Sequence, residues 1–299
     1  MLWVKARFVL VLLCLIATSG CTVKLAYNNL DRLVRWQVGD LVRMNELQRA
    51  YFDAELDRLL YWHRTTQLEE YAAGLERFSG VMAQEVELAD IERVIEEALL
   101  WGQRVEDRTL SMMTPLLISL TNDQILELSE GFARSNEEFA EDEIGVSDAQ
   151  AQARWRERVE DMMKFFSGRL NREQRDFLAA QSVRYQPEYV LWSEYRTRWQ
   201  AALLDALEDR AQRERFAAQL RELADDRERF YGDEFSAVSE ANEALGREVL
   251  VGLLARLSDR QTQRFREKLG SLAGDFRELA QAPVDEPGAV PCLLDCSES

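Results

Sequence analysis

His63 is the only histidine in the sequence, so any imidazole acid–base or ligand chemistry falls on that one residue. A His-x-x-x-His zinc pair and the doubled Glu-x-x-His of a di-iron bundle both need a second imidazole, which is missing. No Gly-x-Ser-x-Gly elbow or glycine-rich phosphate loop occurs to supply a nucleophile or a phosphate cradle. Adjacent acids such as Glu69 and Glu70, or Asp225 and Asp226, have the right type for proton transfer, but 54 acidic residues produce such neighbours by chance. His63 closes an apolar helical stripe, where a histidine commonly packs and bonds to last-turn carbonyls. Trp62, His63 and Arg64 are therefore read as a structural or binding corner between two helices. No catalytic residue, metal ligand or cofactor is expected, and the chain is read as a non-enzyme.

The four cysteines divide into an N-terminal and a C-terminal pair. Lys5 and Arg7 precede the apolar run from Phe8 to Ile16, and Ala17-Thr-Ser-Gly-Cys21 follows it. This is the charged, apolar and small-residue order of a secretory signal, about half the length needed to cross a bilayer as a helix. The ending Thr18-Ser19-Gly20-Cys21 resembles the Leu-Ala-Gly-Cys ending of bacterial lipoproteins, with Thr18 in place of the usual Leu. The resemblance implies that residues 1–20 are a signal peptide, that Cys21 is lipidated, and that Thr22 directs sorting to the outer membrane. A conventional cut near Ala17 or Gly20, or an uncleaved anchor, is the alternative. Cys292 and Cys296, four apart in an exported chain, are expected to form a small disulfide ring, because Cys-x-x-x-Cys is not the redox-active Cys-x-x-Cys spacing.

Without residues 1–20 the chain holds 35 basic against 54 acidic residues, a formal charge of −19. Phosphate recognition needs a basic surface, so nucleic acid is excluded as an expected partner. Lipid rather than charge must then hold the body at a membrane. Glycine and proline are sparse, 14 and 5 residues, and apolar residues recur at helical spacing, as in Phe52, Leu56, Leu59, Leu60 and His63. Six Ser, Thr or Asn residues that each open a segment of helical spacing are followed three positions later by Glu or Gln, the capping-box pattern. They are Asn45–Gln48, Thr66–Glu69, Thr121–Gln124, Ser147–Gln150, Asn171–Gln174 and Ser258–Gln261. Four carry Gln and follow Met44, Leu120, Leu170 or Leu257, with separations of 76, 50 and 87 residues that are too irregular for a solenoid.

These starts, with Pro115 as a kink and Pro187 as a first-turn residue, predict about eight helices. They lie near 23–42, 46–62, 67–84, 90–119, 122–141, 148–168, 172–208 with a break at Pro187, and 211–280 with a break near Leu257. The expected fold is all-α, an elongated multi-helix array or bundle over 21–281. A flexible Pro-rich and acidic tail is expected over 282–299.

Tyr27-Asn28-Asn29-Leu30-Asp31 after the cysteine, and Trp62-His63-Arg64 before a short helix, resemble a family of proteobacterial lipoproteins of unassigned function across the mature chain. Leu120-Thr121-Asn122-Asp123-Gln124 is similar to the Leu-Thr-x-x-Gln motif of periplasmic chaperones of the Spy and CpxP type. Looser echoes lie at Leu170–Gln174 and Leu257–Gln261. The combined reading is a lipid-anchored protein on the periplasmic face of the outer membrane that binds other envelope proteins as a scaffold or chaperone. A carrier of apolar ligands or lipids is the second reading, and a hydrolase the third.

Overall fold

A computed structural model describes residues 21–143 and 145–294. Residues 1–20 and Cys296 lie outside the described residues. Every regular element among those described is helical. α1 covers Cys21–Tyr27, α2 Leu30–Leu41, α3 Glu46–Trp62, α4 Leu68–Val81, α5 Leu88–Ile118 and α6 Asn122–Glu143. α7 covers Asp148–Ser167, α8 Arg172–Ser182, α9 Tyr189–Glu208, α10 Arg213–Asp225, α11 Asp233–Leu254 and α12 Asp259–Gln281. A π-turn at His63–Gln67 joins α3 to α4, so the described residues form eleven separate rods where the sequence predicts about eight.

The extra rods have identifiable causes. The stretch 172–208 breaks after Ser182, and Gln186 is pinned there by Asn242 of α11: its amide donates to Asn242 Oδ1 at 3.0 Å, and Asn242 Nδ2 donates back to its carbonyl at 2.8 Å. Pro187 lies ahead of the cap residue Glu188 and not in the first turn of α9. The expected helix from 211 breaks at Asp226 as well as before Ser258. A short 3-10 turn at Arg227–Phe230 follows, and Gly232 caps α11, whose first turn is acidic. Tyr231 folds into the bend against Tyr195 and Phe235, at ring separations of 4.7 and 4.8 Å.

Buried side chains gather in several clusters, because long amphipathic rods can only cover their stripes pairwise. Trp155, Tyr185, Leu178, Leu253, Phe265 and Ile91 join α5, α7, α8, α11 and α12 with the loop between α8 and α9. Leu203, Leu207, Phe216, Leu220 and Leu128 join α6, α9 and α10. Tyr51, Phe52, Leu56, Met112 and Leu116 join α3 to the far end of α5. With its 31 residues, about 46 Å at 1.5 Å per residue, α5 reaches all three. Residues 282–294 form no helix, and Val290 and Leu293 lie against the third cluster.

Five of the six capping boxes form. The four Gln-bearing boxes with a preceding Met or Leu do more, because their amides meet in two pairs. Gln48 Nε2 donates to Gln124 Oε1 at 3.0 Å, and Gln124 Nε2 donates to Gln48 Oε1 at 2.7 Å. Gln174 and Gln261 repeat this at 3.0 and 3.1 Å. Each oxygen also accepts the amide of its own cap residue, at 3.0 Å for Asn45 and Thr121, 2.8 Å for Asn171 and 3.1 Å for Ser258. Each nitrogen donates its second proton to a carbonyl five residues before its partner glutamine. Those acceptors are Ser119, Arg43, Arg256 and Arg169.

Thr121→Ala removes one cap acceptor and is expected to cost about 0.5–2 kcal/mol. Gln124→Ala also takes from Gln48 its partner amide and from the Arg43 carbonyl its side-chain donor, so it should cost about 1–3 kcal/mol. In urea denaturation the Gln48→Ala/Gln124→Ala double variant should lose less than the sum of the single losses. Strictly additive losses would show that the two amides are not coupled.

Candidate functional site

The sequence motifs after Cys21 and around His63 come together. Nothing between Trp62 and Leu68 breaks the helix, so the expected corner is absent: the backbone stays helical, and the Leu68 amide donates to the His63 carbonyl across the wide π ring. Thr66 does not cap α4. Its hydroxyl donates back to the Trp62 carbonyl at 2.7 Å, as Thr65 does to Tyr61 at 2.8 Å. The extra residue in the π-turn lets His63, Gln67 and Tyr71, at successive steps of four, all face inward.

Tyr27, at the end of α1, stacks on His63 with ring centroids 5.7 Å apart, and its hydroxyl is hydrogen-bonded to His63 Nδ1 at 2.9 Å. A neutral imidazole can serve either side of that bond, depending on its tautomer. Tyr71 meets His63 edge-on at 5.4 Å, and Trp101 of α5 and Phe276 of α12 close the cluster around Tyr71 at 4.6 and 6.3 Å. Gly74 lets the Trp101 ring lie directly on α4, since a Cβ there would stand 2.5 Å from Trp101 Cη2. Arg64 covers the outer side: Nη2 donates to Asn28 Oδ1 at 2.7 Å, and its guanidinium lies 5.2 Å from the Tyr27 ring centroid. Trp62 is half-buried beneath Arg108, 5.8 Å away.

Burial sets the electrostatics. It pushes the His63 imidazole down to about 4, so the ring is neutral at pH 7. It also pushes the Tyr27 hydroxyl up to about 12 against the opposing pull of Arg64. His63 is 8% exposed, and the groups that reach it are aromatic rings and a protonated phenol. This arrangement fastens α1 to the body and places no activated nucleophile beside the imidazole. Among the described residues, no group of three His, Cys, Asp or Glu side chains is placed to hold a metal.

Cys21 is the first residue of α1, and Cys292 lies in the segment after α12 with Cys296 outside the described residues. Tyr71, Gly74 and Phe276 are not singled out by the sequence, where Trp101 reads only as one position of the apolar helical stripe Ile91, Val94, Ile95, Ala98, Trp101 and Val105. The spacing of four from His63 to Gln67 to Tyr71 is a local signal, whereas Trp101 and Phe276 arrive from distant helices and leave none.

The model of DUF6279, a family of unknown function, matches residues 40–236. The chain belongs to that family. Neither a curated protein nor a solved structure matches it. The DUF6279 match includes His63, Arg64, Tyr71 and Trp101, while Tyr27 and Phe276, which complete the cluster, fall outside the matched range.

The depressed His63 value gives a pH test with a definite sign. A folded-state value near 4 against about 6.5 unfolded means that the unfolded chain binds the extra proton. The associated stability is therefore complete above about pH 6.5 and is lost as pH falls toward 4. Between pH 7.5 and 5 the loss should be about 2 kcal/mol. His63→Gln should flatten the urea-measured stability over that window, which no second histidine complicates. An unchanged slope in the variant would assign the pH response to carboxylates.

Proposed function

We propose that the chain is a non-enzymatic lipoprotein of the bacterial envelope. It is acylated on Cys21, held on the periplasmic face of the outer membrane, and presents a rigid helical body to other envelope proteins. One observation carries this reading: the anchor position runs into packed structure without a linker. Val23, two residues after Cys21, is 4% exposed and lies against Leu272 of α12 and Phe165 and Phe166 of α7. Lys24 reaches Asp275 at 3.3 Å and also pairs with Glu278. Tyr27 and Asn28 are bonded to the π-turn. Acyl chains on Cys21 therefore fix the attitude of the whole body and not merely its distance from the bilayer.

The basic start, short apolar run and small residues before Cys21 support the anchor, as does the resemblance to proteobacterial lipoproteins. The neutral, aromatic surroundings of His63 support an architectural role over hydrolysis. The paired glutamines use their amides inside the fold, with Gln48, Gln124 and Gln174 buried, and so speak against a client-binding motif of the Spy and CpxP kind. For the carrier reading, the depression lined by Val190, Ser193, Glu194 and Thr197 is open to solvent and offers no enclosure.

Cys21→Ala is expected to move the exported protein from the membrane to the soluble fraction, with its thermal unfolding unchanged. In-cell crosslinking of the parent protein should then trap envelope proteins that the released variant loses. Membrane retention of Cys21→Ala would overturn the anchor.

A further inference from the structure

We propose that the outward face of α1 and α2 lies flat on the phospholipid surface, with Leu25, Arg32, Leu33 and Trp36 seated among the headgroups. The proposal rests on the anchor reading and adds the face by which the body meets the bilayer. Leu25, Leu33 and Trp36 are 64%, 38% and 68% exposed. Only Asn28 and Asn29 separate the two helices, and the turn keeps helical bonds, Asn28 N to Lys24 O at 2.9 Å and Leu33 N to Asn29 O at 3.3 Å. Positions 25, 29, 32, 33 and 36 thus follow one side at helical spacing. The opposite side is occupied, with Val34 and Val38 on the cluster of Tyr51, Phe52 and Leu56.

What covers the outward side follows from where the chain comes from. The apolar run Phe8–Ile16 ends a few residues before α1, so acylation of Cys21 or an uncleaved anchor alike puts the bilayer at the first residue of α1. Trp36 stands fifteen residues further on, about 22 Å along the helices. Upright helices would leave that indole in water, whereas helices lying flat bring it to the depth where tryptophan is favoured, ring in the interface and N–H toward water. Of the six tryptophans among the described residues, Trp36 alone is exposed.

Charge fits the same occupant. In a chain of net charge −17, the strip from Leu25 to Trp36 presents Arg32 and no acid. Asp31 is turned aside, its carboxylate held by Arg35 at 2.6 Å. A basic side chain among apolar residues is the composition of an interfacial helix on a phospholipid membrane.

The test uses the full protein purified with its own N-terminal modification and reconstituted into phosphatidylethanolamine/phosphatidylglycerol vesicles carrying brominated acyl chains. Tryptophan fluorescence should be quenched, and Trp36→Phe should lose most of that quenching. Equal quenching in both proteins, or none in either, would overturn the strip. So would a dimer that sediments in detergent-free buffer and is dissociated by Trp36→Ser, since the strip would then join two copies. The mass of the N-terminal peptide keeps the two readings apart. An N-terminal peptide that carries neither acyl chains on Cys21 nor the run Phe8–Ile16 removes the anchor and the premise of the strip, whereas an acylated peptide with an unquenched Trp36 removes the strip alone.

Discussion

A helix that begins inside a protein must find partners for its first amides, and in this chain four glutamine side chains meet that demand two at a time. A glutamine amide has two acceptor sites on oxygen and two protons on nitrogen. In each pair all of these are used: one acceptor caps its own helix, one joins the partner amide, and the second proton holds the carbonyl five residues before the partner. Glutamate could cap in the same way but could not donate, and two carboxylates at this distance would repel. Bringing two helix N-termini together also concentrates partial positive charge, which the first-turn acids Glu46, Asp123, Glu173 and Asp259 offset.

The pairing gives the irregular motif spacing a meaning. Gln48 meets Gln124 and Gln174 meets Gln261, so each pair brackets one stretch of chain. Both stretches open with a capped helix and close with a long helix, α5 or α11, then a short link and the second capped helix. The irregular separations therefore reflect two units of similar plan with different interiors. The first unit has the uninterrupted α3–π–α4 rod where the second has shorter helices, and α1 and α2 reach along that rod, α1 seated also on α12 and α2 also on α6. The aromatic cluster at His63 belongs to this asymmetry.

Much of the local order was legible because its causes are local. Helical spacing identified the fold class, five boxes formed where cap chemistry placed them, and Pro187 marked a real interruption. The errors fall where a distant contact decides. Thr66 carries the pattern of a cap, yet its hydroxyl back-bonds to Trp62 because the helix runs on through it, which lets His63 bury against Tyr27 and Tyr71. The bend at Asp226 was missed because its cause, Tyr231 packing on Tyr195 of another helix, has no sequence period. The Asp90 carboxylate, which accepts the Glu87 amide at 3.1 Å, escaped notice because the start of α5 lacks Ser, Thr or Asn. Ser147–Gln150 matches the paired boxes at cap and Gln, but Gln150 is exposed and only caps. Whether such an amide finds a partner depends on where another helix begins.

The choice of cation follows the same logic of joining separate rods. Of the 37 basic residues, 33 are arginine, and arginine presents several donors in a fixed planar fork where lysine presents a point charge. Arg35 of α2 binds Asp31 on its own helix and Asp53 and Asp57 on α3, at 2.6, 2.8 and 2.7 Å. Arg277 of α12 spans Glu69 and Glu76 on α4. Arg210 holds the Leu120 carbonyl at 2.8 Å and Asn122 Oδ1 at 2.5 Å, gripping the start of α6 beside the first glutamine pair. Exposed ion pairs add little to stability one at a time, so their abundance is better explained by geometry. Apolar stripes let neighbouring rods slide by a turn with little change in buried area, whereas a fork matched to acids on a second helix fits only one register.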